Sequence, residues 1–329
     1  NLICNPYPSY IDFESFFNTN SDQLDEGAYR AIWGYNATTN TWTIWNNITI
    51  LDEDIRELIA PGQGFFVASK TGGGMINFTA DSRTAGSSNN FIVSKSSNSS
   101  TLSKATLNLY KNSEIFGTDI YFIENATQGV DPGYDAAAFG GSASAIFSKI
   151  VDGSSIEELA IQALPLNDFN DVVIPIGVKA NQGEQISIGL NASNLTVPSE
   201  INIYLEDNLT NNWTLLNTSD YTFTPESSID GSGRFFVHFS STTLSNPDVW
   251  SSSLLVYVNQ ERKELMLKGL LQANSALSVY DIHGRVVLKK QLQSNSKENK
   301  IDVSSINTGV YIVKLNNSIQ QKTQKVIIK

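Results

Sequence analysis

Short runs of alternating apolar and polar residues recur along the whole chain, separated by Asn, Asp, Gly, Ser and Pro. A period of two predicts β-strands with one buried face. The clearest runs are Phe65–Ala68, Ala105–Tyr110, Ile120–Ile123, Asp171–Val178, Gln185–Leu190, Ile201–Leu205 and Arg234–Phe239. Helical spacing is scarce: only Tyr10–Phe17 and Ser155–Ala160 suggest a turn or two of helix. Many short strands with little helix between them predict an all-β fold, here a jelly-roll or Ig-like β-sandwich. From Leu254 onward seven short runs follow closely: 254–258, 264–268, 276–280, 285–288, 300–303, 310–315 and 324–329. That density is the arithmetic of a small, seven-stranded Ig-like C-terminal sandwich.

Charge divides the chain more sharply than hydropathy does. Residues 260–329 hold 12 Lys+Arg and 5 Asp+Glu, a net of +7, which leaves the rest with 10 basic and 28 acidic residues, a net of −18. Such asymmetry points to parts with different partners. We therefore expect a β-rich lobe at 1–95, a β-sandwich lobe at 96–245 that packs with the first, a linker at 246–253 and a terminal domain at 254–329. The linker falls in the Ser/Thr/Asn/Pro-rich stretch Ser240–Ser253, and the softer inner boundary in the Gly/Ser/Asn tract Ala85–Ser103.

The overall charge of −11 argues against nucleic acid or anionic lipid as a partner of the whole chain. Sixteen Phe, 12 Tyr and 5 Trp argue against disorder. Cys4 is the sole cysteine, so no internal disulfide forms. No apolar run reaches the roughly 18–20 residues of a membrane-spanning helix. Asn1–Tyr10 carries no initiator Met, basic segment or apolar segment, so a signal peptide is expected upstream and the chain reads as a fragment or processed product.

Three C-terminal motifs carry a resemblance. They are Val279-Tyr-Asp-Ile-His-Gly-Arg-Val286, Ile301-Asp-Val-Ser-Ser-Ile-Asn-Thr-Gly-Val-Tyr-Ile-Val-Lys314, and the lysine-bearing ending Lys325-Val-Ile-Ile-Lys329. In that order and at that distance from the end, they resemble the type A C-terminal sorting domain of substrates of the Bacteroidetes type IX secretion system. Gly284 and Arg285 match the family's turn, Gly309 and Tyr311 its Gly-x-Tyr signature, and Lys325 and Lys329 its basic terminus. The resemblance implies passage through the type IX translocon, a PorV-like shuttle barrel as carrier, and a surface sortase that releases or anchors the product. By residue chemistry, Gly284 is expected at positive φ in a hairpin turn. Gly309 is expected as a left-handed turn position and Tyr311 as a core position. Upstream, Asn5-Pro-Tyr-Pro-Ser9, Ile59-Ala-Pro-Gly-Gln-Gly-Phe-Phe-Val67 and Val173-Ile-Pro-Ile-Gly177 resemble a β-rich module of flavobacterial surface proteins, with Cys4 where glycine is expected. That resemblance implies no catalytic activity.

The candidates for chemistry are few. His238 and His283 lie 45 residues apart, and a histidine-based site needs its base beside a nucleophile. Glu157, Glu158, Glu206 and Asp207 suit carboxylate chemistry by type, but neighbours on a strand face opposite ways. Asp131 and Asp135 in Asp-Pro-Gly-Tyr-Asp, with Asn167–Asp171 second, are the best oxygen-rich loops for Ca2+; otherwise no cofactor is expected. Two predicted strands, Tyr29–Tyr35 and Thr41–Trp45, form an aromatic hairpin. Its Trp33, Trp42 and Trp45 either fill a core or offer a platform for stacking sugar rings. The reading ranked first is a secreted or cell-surface, non-enzymatic type IX substrate whose front region is an adhesin or stalk. A carbohydrate-binding module ranks second, and the accessory region of a glycan-active enzyme whose catalytic domain lies upstream ranks third.

Overall fold

The computed structural model describes every residue except 37–40, 52–56, 87–101, 113, 140–144, 154, 156, 242–253, 261, 270, 272, 283, 295, 297 and 318–320. The expected linker 246–253, His283 and most of the Gly/Ser/Asn tract therefore lie outside the described residues.

Alternation does the work the sequence predicts. Strand Ser103–Lys111 sends Ala105, Leu107 and Leu109 into the main core, leaving Thr106, Asn108 and Tyr110 on its other face. Among the described residues it belongs to an eleven-stranded sheet. The order runs Asn212–Leu215, Asn202–Asp207, Ile229–Ser240, Asp171–Ala180, Ala145–Ser148, Leu159–Pro165, Glu114–Ile123, Ser103–Lys111, Ile186–Leu190 and Tyr221–Phe223. Ala136–Ala137 pairs with Leu159–Pro165 off this path, and Glu114–Ile123 runs parallel to Leu159–Pro165. The sheet folds onto itself, because one core holds Leu107, Ile120 and Ile188 from one half with Ile174, Leu205 and Val237 from the other. Phe122 and Phe239 meet edge to face across it at 5.0 Å.

Part of the sandwich's outer surface carries a further layer. On one side lies a four-stranded sheet of Leu2–Cys4, Gly64–Val67, Ile32–Asn36 and Thr41–Trp45. Trp33, with partly buried Trp42, Ile44 and Phe66, packs on Tyr121, Ile123, Ile161 and Ala163 of the large sheet. The opposite face of the small sheet buries Ile32, Trp45, Phe65 and Val67 against helix Phe13–Asn20. That helix presents Phe13, Phe16 and Phe17 at i, i+3, i+4 spacing, and the Asp12 carboxylate caps it by accepting the Ser15 N–H at 2.9 Å. Residues 1–95 and 96–245 thus share an apolar layer.

Two local expectations change. The helix begins at Phe13 rather than Tyr10, because Tyr10–Asp12 is held as a strand between Leu58–Ile59 and Arg83–Thr84. The expected helix at Ser155–Ala160 does not form among the described residues there: Leu159 and Ala160 start a strand, where ladder pairing overrides a weak local preference.

The tail has seven strands among its described residues, in two sheets. One orders Leu255–Asn259, Glu264–Lys268 and Glu298–Asp302; the other orders Val286–Leu292, Ser275–Tyr280, Gly309–Asn316 and Gln321–Ile328. Val256, Leu265, Leu277, Val279, Val313 and Ile328 close a core of their own between them.

Candidate functional site

The tail motifs have separate structural reasons. Gly284 sits at φ +78°, and its N–H donates to the Asp281 carbonyl at 2.9 Å. Arg285 completes the turn, donating its N–H to Asp281 Oδ1 at 2.9 Å and its Nε–H to Oδ2 at 2.7 Å. Gly309 departs from expectation, since it opens strand Gly309–Asn316 with no positive φ. Its role is clearance: the Tyr311 ring lies back over it, so an added Cβ would sit 3.4–3.6 Å from ring atoms. The ring is buried and its hydroxyl donates to the Asn307 carbonyl at 2.7 Å. A Cβ at 3.4 Å is an ordinary contact, so Gly309→Ala should shift the thermal midpoint little, whereas the branched Gly309→Val should displace the ring and lower it. Equal midpoints for both variants would refute this account of Gly-x-Tyr. Lys329 donates its N–H to Gln260 Oε1 at 2.9 Å, and Lys325 is half-buried near the front region.

The aromatic hairpin forms in the register Trp33↔Ile44 and Tyr35↔Trp42. Trp33 is 1% and Trp45 4% exposed. The Trp33 indole N–H donates to the Ala137 carbonyl at 3.2 Å, and the Trp45 ring packs at a tilt against Phe13 with centroids 5.3 Å apart. Trp33 and Trp45 are thus core side chains, the first of the two roles expected of the hairpin, although Trp45 still borders the groove described next. Trp42 is only partly buried, packed between exposed Tyr35 and Phe139.

Beside Trp42 lies a groove of about 370 Å3 between the hairpin and the outer face of the large sheet. Trp42, Ile44 and exposed Ile115 give it apolar walls. Its floor is polar: Lys104 Nζ lies 2.9 Å from Asp119 Oδ2 and over the Tyr121 ring at 4.8 Å, and Thr106 donates to Asp119 Oδ1 at 2.6 Å. Burial pulls the Lys104 ammonium down, but Asp119 and Tyr121 outweigh it and hold it above its ordinary value. Asn191 and Asn194 line the rim.

The proposed calcium loop is used otherwise. Asp131 accepts the Thr127 N–H at 2.6 Å and hydroxyl at 3.1 Å, while Asp135 accepts the N–H groups of Asp131 and Ala163, each at 2.7 Å. Every carboxylate oxygen of the pair thus meets a protein donor, and no metal-ligating group of three or more occurs among the described residues. Asp135 is fully buried with no cation opposite among the described residues, and burial pushes its carboxyl up to about 7 against two N–H donors that favour the anion. A raised folded pKa means stability that is complete below about pH 4 and is lost as pH rises through 7, by at most about 4 kcal/mol. In urea unfolding, wild type should weaken from pH 5 to pH 8 relative to Asp135→Asn, which has no proton to lose there. Parallel pH profiles would refute the shift.

Among the remaining candidates Glu158, Glu206, Asp207 and His238 form structural ties, whereas the buried Oε2 of Glu157 meets no hydrogen-bond partner among the described residues. Glu158 pairs with Lys179 at 2.5 Å. Asp207 and Glu206 face opposite ways, as strand neighbours must. Asp207, fully buried, binds Arg234 through two contacts of 3.0 and 2.8 Å and accepts the Tyr221 hydroxyl at 2.7 Å. Glu206 meets His238 Nε2 at 2.9 Å and Lys268 of the tail. Burial lowers the His238 pKa and keeps the ring neutral, so it donates to Glu206.

Residues 1–239 match the family described as a domain of unknown function (DUF8693). The chain belongs to that family. Residues 258–329 match the secretion system C-terminal sorting domain, which makes this DUF8693 protein a substrate of the type IX secretion system, exported to the cell surface or beyond. No curated protein matches the chain. Among solved structures it is similar to a biofilm-associated protein's BSP domain at 9% identity and TM-score 0.22, over 45% of this chain and 27% of that one. It is also similar to PorZ, an essential surface component of the type IX secretion system of Porphyromonas gingivalis, at 13% identity and TM-score 0.20, over 90% of this chain and 41% of that one. The chain thus spans less than half of either structure. Within the DUF8693 region, sequence reasoning missed Lys104, Thr106 and Asp119. They come from two paired strands whose outward positions read as ordinary surface, and the groove exists only once residues 42–45 and 191–196 are folded beside them.

Proposed function

We propose that the DUF8693 region is a non-catalytic adhesin displayed at the cell surface, and that its ligand is a saccharide bound in the groove beside Trp42. The observation that carries this reading is the groove itself: an aromatic wall over a floor of Asp119, Lys104, Thr106 and Asn108 suits a ligand with an apolar face and many hydroxyls. Support for a non-catalytic role comes from Glu206, Asp207 and Asp135, whose carboxylate oxygens serve structural contacts. A PorV-like shuttle and a surface sortase are the partners proposed for the tail, with a signal peptide upstream. The exposed rung Lys289 and Lys314 across Ser278 supports an acidic docking surface on such a carrier.

A glycan array on the full chain tests the adhesin reading. Specific binding should fall at least tenfold in Trp42→Ala and in Asp119→Ala. A wild-type chain that retains no glycan would sink the saccharide reading and leave the stalk.

A further inference from the structure

The face of strands Asn202–Asp207 and Ile229–Ser240 turned away from the main core should meet water in a free sandwich. It does not: Phe236 is 1%, Glu206 3% and His238 4% exposed. The neighbouring strand contributes Trp213, whose ring lies 4.4 Å from that of His238. The rest of the cover is the tail. Tyr257 lays its ring on Phe236 at 4.5 Å, and its hydroxyl accepts from the Asn208 side-chain amide. Lys268 reaches Glu206, and Arg262 donates to the Leu209 carbonyl at 3.3 Å. Tyr257, Met266 and Lys268 alternate with Val256, Val258, Leu265 and Leu267, which point into the tail's own core. Met266 belongs to the outward set and yet is only 2% exposed.

The backbone is shaped for the same approach. Gly233 holds φ +105°, and a Cβ there would stand 2.6 Å from the Val258 carbonyl oxygen, so no other residue fits without moving the tail. Charge agrees as well: the tail's +7 meets the −18 of the remainder. At the centre, burial alone would raise the Glu206 carboxyl, but His238 and Lys268 outweigh it and hold it below its ordinary value. A buried carboxylate of the front region therefore has its one cationic partner among these contacts on the tail.

We infer that the sorting domain is an intramolecular ligand of the DUF8693 region: it docks on the Phe236–Glu206 face, is clasped there by Lys268, and stays bound without the covalent connection. The chain is thus exported as one body. One sheet of the tail is covered, and in the other the edge strand Gln321–Ile328 reaches the front region through Gln324 beside Gly153, while Lys289 and Lys314 stay exposed.

The test nicks the full chain at a protease site placed between residues 242 and 253, followed by gel filtration at micromolar concentration. The two pieces of the wild type should co-elute. Lys268→Glu should separate them or weaken their association at least tenfold, and Lys268→Met, which keeps the stem and loses the charge, covers the case in which the reversal prevents folding. A tail that elutes alone from nicked wild type overturns the docking. Co-elution that survives both substitutions overturns the clasp.

Discussion

Arg234→Met should destabilise the front region by about 3–5 kcal/mol, because it strands a carboxylate in the protein interior. Asp207 has no exposed surface, and among the described residues Arg234 supplies its cation, through a two-point grip at 3.0 and 2.8 Å. Arg234 is itself held over the Phe223 and Phe235 rings at 4.6 and 4.8 Å, so its loss also removes packing where the two ends of the folded sheet meet. Burial alone would raise the Asp207 carboxyl, but hydrogen bonds from Arg234 and Tyr221 outweigh it and set its pKa below the ordinary value. A depressed folded pKa places the stabilisation above about pH 4 and removes it as pH falls below that. In Arg234→Met the sign reverses, since the unpaired carboxyl becomes easier to protonate and acid should relieve part of the loss. Pairing the change with Asp207→Asn should recover much of the stability at pH 7. Urea midpoints of the two single variants and the double variant decide this. Additive losses would mean that the buried pair is not coupled.

Short apolar-rich runs between turn residues were enough to place the long strands of the sandwich. Ser103–Lys111 and Asp171–Ala180 fall within two residues of the predicted runs, and Gly284 and Tyr311 can be read from turn chemistry and burial pattern. Legibility fails where a second layer covers the outward face. The run Arg234–Phe239 was legible as a strand but not in its burial, since Phe236 breaks the alternation, and the structure gives the reason: every residue from Phe235 to Ser240 is buried, with Phe236 at the tail contact and His238 beneath Trp213. The same reason makes Trp33 and Trp45 core residues. A single hairpin with one free face would have exposed one of them, but this hairpin lies between a helix and a sheet. The groove was illegible for a different cause, since it joins three segments separated by tens of residues and each alone is unremarkable strand or loop. Asp135 and Glu206 look like surface carboxylates in sequence, because burial is a property of what packs over them.

Tyr311→Ala should abolish secretion of the full chain through the type IX system, whereas Tyr311→Phe should leave most of it. The tail core is small, and the Tyr311 ring is one of its buried side chains, packed with Val279, Val313 and Ile328. Truncating a buried aromatic to Ala costs about 3–5 kcal/mol, a large share of what a domain of this size can hold. Removing only the hydroxyl forfeits the bond to the Asn307 carbonyl, worth about 0.5–1.5 kcal/mol, and leaves the ring over Gly309. If the export machinery reads the folded tail, secretion should track the fraction folded at growth temperature: near normal for Phe, near zero for Ala. The measurement is the amount of chain at the cell surface and in the medium of a flavobacterium, with a translocon-deficient strain as the floor. The melting transition of each purified variant provides the second axis. An unfolded tail in Tyr311→Ala that is nonetheless secreted at the wild-type level would show that the signal is the linear sequence of the last strands, and the tail's packed core would then serve stability after export rather than recognition before it.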